Sequence, residues 1–95
     1  MNMWDRARQM AEESRRKYPK GTRIELIRMG DDPRPVPPGT RGTVVYVDDM
    51  GQVGMRWDNG QTLSLIPGED SFRVLTQEEV KSEKASQGHD GQILR

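Results

Sequence analysis

The sequence predicts a mainly β domain: a small antiparallel barrel of five strands, with an amphipathic helix before it and a short helix after it. Three observations predict this class. Of the 17 Leu, Ile, Val and Phe residues, 14 lie between Thr22 and Leu75, so the middle of the chain holds the apolar interior. Within that interval apolar residues alternate with polar ones in short runs, the period of a half-buried strand. Gly, Pro, Asn and Asp punctuate the runs closely enough to leave only short strands between turns. A chain of 95 residues holds one domain, and five short strands are too few for a sandwich. Closing them into a bent barrel removes their free edges. The expected divisions are a basic helix over 1–19, the barrel over 20–75, and a short helix followed by a disordered tail over 76–95.

Asn2 is a residue type that suits a helix N-cap, with Asp5 expected in the first turn where a negative charge suits the helix dipole. The spacing predicts a helix from Met3 to Lys17, with Met3, Trp4, Ala7, Met10 and Ala11 along one stripe. Glu12 with Arg16 and Glu13 with Lys17 are spaced for i,i+4 pairs, and Pro19 with Gly21 ends the helix. Thr22–Met29 then alternates as a first strand, Ile24 and Leu26 facing one way and Arg23, Glu25 and Ile27 the other. Residues 30–39 hold Pro33, Pro35, Pro37 and Pro38, which supply no amide donors to a ladder, so a loop is expected there. Val36 is expected to tuck from it into the core, the alternative being that residues 33–38 are a polyproline ligand for another protein's aromatic groove. Gly42–Asp48 is the second strand and Gln52–Trp57 the third, joined through Asp49-Met50-Gly51. Asn59-Gly60 suits a two-residue type I′ turn leading to a fourth strand, Gln61–Ile66, with Leu63 and Leu65 inward. After Pro67-Gly68 comes a fifth strand, Phe72–Leu75. Thr76 with Glu79 forms a capping box, Leu75 and Val80 the flanking staple, and a helix over about 77–84 follows.

Pro38-Gly39-Thr40-Arg41-Gly42-Thr43-Val44-Val45, Asp31-Asp32-Pro33 and Trp57-Asp58-Asn59-Gly60 resemble the motifs of an uncharacterised bacterial domain family, common in phages and mobile elements, over about Pro19 to Leu75. Lys20-Gly21-Thr22 matches that family's lysine-glycine-threonine start. The resemblance implies a barrel of the SH3-like type. Gly39-x-x-Gly42-x-Val44 is also similar to the KOW barrels of ribosomal and elongation proteins, which touch RNA or protein. Val53-x-Met55-x-Trp57-Asp58-Asn59-Gly60 is similar to a hairpin in the peptide-binding barrels of the Mind bomb type of ubiquitin ligase. The tyrosine-arginine pair that follows the hairpin in those ligases is replaced here by Leu65-Ile66, so their peptide chemistry does not carry over.

No reaction can be assembled from the side chains. With no cysteine, disulfides, thiolate zinc sites and cysteine nucleophiles are excluded. The acid pairs Asp31-Asp32, Asp48-Asp49 and Glu69-Asp70 fall at turns, where aspartate bonds nearby backbone, and none has the spacing of a calcium loop. The one histidine, His89, lies in the Gly-rich tail without a second ligand. The expectation is therefore no enzyme, no metal and no cofactor. Lys plus Arg equals Asp plus Glu, 15 each, so recognition must come from local patches. Residues 1–23 carry seven bases (Arg6, Arg8, Arg15, Arg16, Lys17, Lys20, Arg23) against three acids (Asp5, Glu12, Glu13). Residues 24–75 carry five bases against eight acids, and this complementarity favours docking of the helix on its own barrel or on a second copy.

The function expected is a non-catalytic protein-interaction module of a phage or mobile element that binds and modulates a host or phage protein. Its partner-binding residues are Tyr46, Trp57, Asp58, Asn59, Pro35 and Pro37, with Trp57 either core or the floor of a groove under the proline loop. The alternative is a nucleic-acid accessory protein acting through Arg8, Arg15, Arg16, Lys17, Lys20 and Arg23. A homodimer through the helix stripe is a further expectation. Met1–Arg8 has no apolar stretch of the signal-peptide kind, and no window approaches the roughly 18 apolar residues of a membrane span. A cytoplasmic protein without membrane contact is expected.

Overall fold

The computed structural model describes the backbone of residues 3–93 and the side chains of residues 3–85, so the N-cap expected at Asn2 lies outside the described residues. Helix α1 (Met3–Lys17) precedes strands β1 (Arg23–Arg28), β2 (Arg41–Val47), β3 (Val53–Trp57) and β4 (Ser71–Val74), and helix α2 (Gln77–Ile93) follows them. The strands form one antiparallel sheet in the order β3-β2-β1-β4. Its inner face carries Ile24, Leu26, Val44, Val53, Met55 and Trp57, all buried, and Val36 and Leu65 cover them from the loops. Val36 plugs the core from the proline loop, as its place in the sequence predicts.

The closed five-stranded barrel is corrected to an open four-stranded sheet, because residues 61–66 form no strand. Leu65 exchanges two backbone bonds with Val53, both 2.8 Å, and the Trp57 amide donates to the Gln61 carbonyl at 2.9 Å. These pairs imply one register, with Met55 opposite Leu63. At that middle position the Leu63 carbonyl instead accepts the Trp57 indole N–H at 2.8 Å. The buried indole must place its one donor, and doing so interrupts the ladder.

The hairpin at Asn59-Gly60 forms, but not as a type I′ turn, since among the described residues only glycines have positive φ. Gly60 N–H donates to the Trp57 carbonyl at 2.9 Å and Gly60 sits at φ 95°, which makes a three-residue loop ending in a left-handed glycine. The Asp48–Gln52 turn repeats the pattern: Gly51 N–H donates to the Asp48 carbonyl at 3.1 Å, with φ 88°. An Asn or Asp side chain secures each loop, as Asn59 Oδ1 accepts from the Gln61 amide and Asp48 Oδ1 from those of Met50 and Gln52, all at 2.9 Å.

Two bulges break strict alternation. Val44 pairs with Met55 but Tyr46 with Gly54, leaving Val45 as the extra residue. Val44 and Val47 therefore both join the core although three apart, and Tyr46 stays on the outer face. Its ring lies across Gly54, where any Cβ would collide with it. Ile27 is the extra residue between Leu26 and Arg28 and is exposed.

The capping box at the start of α2 is formed, Thr76 N donating to Glu79 Oε1 at 2.9 Å and Glu79 N to Thr76 Oγ1 at 3.1 Å. The helix runs on to Ile93, where the sequence predicts an end near Lys84 and an unstructured tail. No proline interrupts residues 77–93, and Gly88 and Gly91 weaken a helix by about 1 kcal/mol each without breaking it.

Asp70 closes the remaining end of the sheet: Oδ1 accepts from the Gly30 amide at 2.7 Å and Oδ2 from the Ile66 amide at 2.8 Å. In urea unfolding followed by circular dichroism, Trp57→Ala is expected to lower stability by about 3–5 kcal/mol, the cost of emptying a core site. Asp70→Ala lowers it by about 1–3 kcal/mol, because two amides lose their acceptor.

Candidate functional site

The outer face of the sheet is built from charged side chains at alternate positions. Arg23 and Glu25 of β1, Arg41 of β2 and Arg73 of β4 point away from the core, since their neighbours Ile24, Leu26 and Val44 point into it. The register places Arg41 and Arg73 on either side of Glu25, whose Oε1 accepts from both at 3.0 and 3.4 Å. Helix α2 lies over this face and lowers Glu79 and Glu83, one turn apart, onto the arginines. Arg73 forms a two-pronged pair with Glu79 at 2.8 and 2.6 Å. Arg23 does the same with Glu83 at 3.0 and 2.6 Å and reaches Asp58 at 2.9 and 2.7 Å. Arg41 sits between them, 3.3 Å from Glu83 and 3.6 Å from Glu79. Charge-assisted forks of this kind favour the ionised carboxylates. Hydrogen bonds from Arg73, then from the Thr76 amide, hold the Glu79 carboxyl down to about 2. Hydrogen bonds from Arg23 lower both Asp58 and Glu83.

Helix α1 docks by a different chemistry. Ala11 and Ser14 are its buried residues, and Ser14 Oγ donates to the Gly51 carbonyl at 3.0 Å. A Cβ at Gly51 would lie 3.1 Å from the Met10 backbone, so the glycine that makes the β2–β3 turn also lets the helix approach. Arg15 Nη2 pairs with Asp49 at 3.2 Å, and Lys17 with Glu13 at 3.5 Å. The helix thus docks on its own sheet, one of the two dockings that the charge distribution favours, and the exposed Arg15–Asp49 pair joins opposite charges across the contact.

This docking leaves an apolar ridge in solvent. Met3 is 82% exposed, Trp4 80% and Met50, at the tip of the β2–β3 turn, 58%. Met50 separates two shallow grooves of about 240 and 250 Å³, the first lined by Trp4 and Arg8, the second by Met3, Arg6, Met10 and Pro67.

The residues that the sequence nominates for partner binding are dispersed. Trp57 is 1% exposed, so its indole offers no surface to a partner and the groove-floor reading is corrected to core. Asn59 Nδ2 bonds Gln61 at 2.6 Å, and Gln61 bonds the Arg34 carbonyl at 3.0 Å. The exposed Pro35 and Pro37 are thereby tied near the 58–60 turn. Asp58 is engaged by Arg23, and the exposed Tyr46 lies over Gly54, outside that linked set. Of the cations proposed for nucleic acid, Arg15, Lys17 and Arg23 are in ion pairs, while Arg8, Arg16 and Lys20 are exposed. The acid pairs serve turns and contacts: Asp32 accepts from the Arg34 amide at 2.9 Å, and Asp48 and Asp70 act as described. Among the described residues no group of three or more His, Cys, Asp or Glu side chains could hold a metal. The His89 side chain lies outside the described residues, and no described helix is long and apolar enough to cross a membrane.

Two features escape the linear reading. The ion-pair network was signalled by Glu79 and Glu83 at i,i+4 together with the alternation Arg23-x-Glu25. Met50 carried no signal beyond its place in a turn, because joining Trp4 needs the fold.

Residues 7–75 match the family model described as Domain of unknown function (DUF4314). The chain belongs to this family. An uncharacterised family is what the motifs imply, but the DUF4314 match begins within α1 rather than at Pro19, so the domain includes most of the first helix. No curated protein matches the chain.

Acid tests the network. A carboxylate whose folded value is depressed contributes stability that is fully present above its unfolded value, near 4.5 for Glu79, and is lost as pH falls through about 2. Carboxyl carbon shifts followed by NMR are expected to give a Glu79 midpoint near 2, and Arg73→Ala is expected to raise it toward the ordinary glutamate range without reaching it, because the Thr76 amide still donates to the carboxylate.

Proposed function

We propose that this chain is a non-catalytic protein-interaction module, acting in the cytoplasm for a bacterial phage or mobile element by binding and modulating a host or phage protein. Its sheet reads as an opened variant of the SH3-like barrel, with residues 61–66 standing where the fourth strand would be. The observation that carries the reading is the ridge of Met3, Trp4 and Met50, three large apolar side chains held in solvent on a docked helix and a rigid turn. Exposed Trp and Met gathered in one place are the residue types that anchor protein interfaces. Arg6 and Arg8 flank the ridge, so the partner segment that fits is apolar with acidic margins.

The nucleic-acid reading has less support. Three of its six cations are committed to carboxylates, which leaves Arg8, Arg16 and Lys20 to contact phosphate.

Tagged protein purified from its own host is expected to retain a stoichiometric companion. That companion is lost with Trp4→Ser and Met50→Ser, each of which leaves the thermal midpoint within about 2 °C because neither side chain is in the core. Retention by both variants, or capture of nucleic acid at ~50 mM salt, where phosphate contacts are strongest, overturns the proposal.

A further inference from the structure

Helix α2 covers the sheet without packing into it. Leu75 precedes the helix and is buried, and among the described residues of the helix itself none is buried, Val80 being half-buried. Grooves of about 440 and 480 Å³ run beside it, both lined by Arg23, Val80 and Lys84. What holds the helix is therefore the fit of two carboxylates one turn apart into three guanidiniums. Arg23, Arg41 and Arg73 each keep a carboxylate of the sheet when α2 is lifted, Asp58 for the first and Glu25 for the other two. Three cations then face two anions: Arg23 Nη2 and Arg73 Nη2 keep Asp58 and Glu25, while Arg23 Nε, Arg41 Nη1 and Arg73 Nη1 lose the acceptors they had in Glu83 and Glu79. Partly exposed ion pairs contribute little individually and weaken with salt, so the contact is displaceable.

We propose that Arg23, Arg41 and Arg73 form a recognition site for an acidic helix of a partner protein bearing two carboxylates at i,i+4, and that α2 occupies this site as an internal stand-in that the partner displaces. The occupant is argued from α2 itself. Its Glu79 and Glu83 meet the three arginines with six N–O distances between 2.6 and 3.6 Å, so the site already receives a helix of this pattern. The proposal is independent of the apolar ridge, which lies on α1 and the β2–β3 turn.

The test uses the full chain carrying Glu79→Gln and Glu83→Gln. Glutamine preserves the capping box while removing both charges. The probe is a synthetic peptide of residues 76–90, stapled into a helix, titrated by calorimetry at ~20 mM salt. The double variant binds it at least about tenfold more tightly than the unsubstituted chain, whose site is filled for most of the time. Binding disappears when the peptide carries the two glutamines or when Arg41→Ala is added to the variant. Equal affinity for the two chains, binding that survives Arg41→Ala, or tighter binding of a polyphosphate than of the peptide overturns the proposal. Should the double variant not fold, hydrogen exchange on the unsubstituted chain decides. Amides of residues 80–85 exchange at least about tenfold faster at ~500 mM than at ~20 mM salt, while those of β1 and β2 do not change. Salt-independent exchange of the helix refutes the stand-in.

Discussion

The alternation of β1 is the constraint from which the rest of the molecule follows. Ile24 and Leu26 are wholly buried, while Arg23 and Glu25 between and beside them face outward. Because β1 pairs with β2 on one side and β4 on the other, its two faces become the two faces of the sheet. One is apolar and closed by Val36 and Leu65. The other is charged, and α2 can dock there only by answering those charges, since it brings little apolar surface of its own. A slip of one residue in this strand would turn both faces over at once.

The inner face was legible in the sequence because it rests on a short-range period. Helix α1, the loop carrying Val36, the capping box and the four strands all announce themselves through residues adjacent in the chain. The closed barrel did not follow because strand 61–66 depends on a contact that no local pattern encodes. The indole N–H of Trp57 must find an acceptor, and the Leu63 carbonyl it takes belongs to the ladder that would have closed the sheet. The type I′ turn failed for a related reason: Asn59 spends its side chain on the Gln61 amide and takes an ordinary negative φ, leaving the positive angle to Gly60. Trp57 itself continues the Val53 and Met55 face, and its burial agrees with that period rather than with its place beside an exposed turn.

Charge was the weaker guide. The excess of bases before residue 24 and of acids after it favours docking of α1 on its own sheet or on a second copy, and α1 docks on its own sheet. Yet the contact is made by Ala11, Ser14 and the bare backbone at Gly51, with the Arg15–Asp49 pair at its exposed margin. Segment totals miss this because several of the sheet's charges are consumed within the sheet and by α2. Asp58 is held by Arg23, Glu25 by Arg41 and Arg73, and Asp70 by two amides. A carboxylate already satisfied contributes little attraction to a distant helix, particularly across screened solvent.

The two helices therefore respond to different solvent conditions. α1 is seated by close approach of small residues and by a hydroxyl to carbonyl bond, interactions that salt and mild acid leave intact. α2 is seated by guanidinium and carboxylate groups whose attraction salt weakens and strong acid abolishes. Raising the ionic strength should loosen the C-terminal helix while the N-terminal helix stays docked, and the apolar ridge on α1 would keep its geometry as the arginine face opens. A chain this small can thus present a fixed surface and a covered one, because the same strand that buries its aliphatic side chains on one face exposes arginine and glutamate on the other.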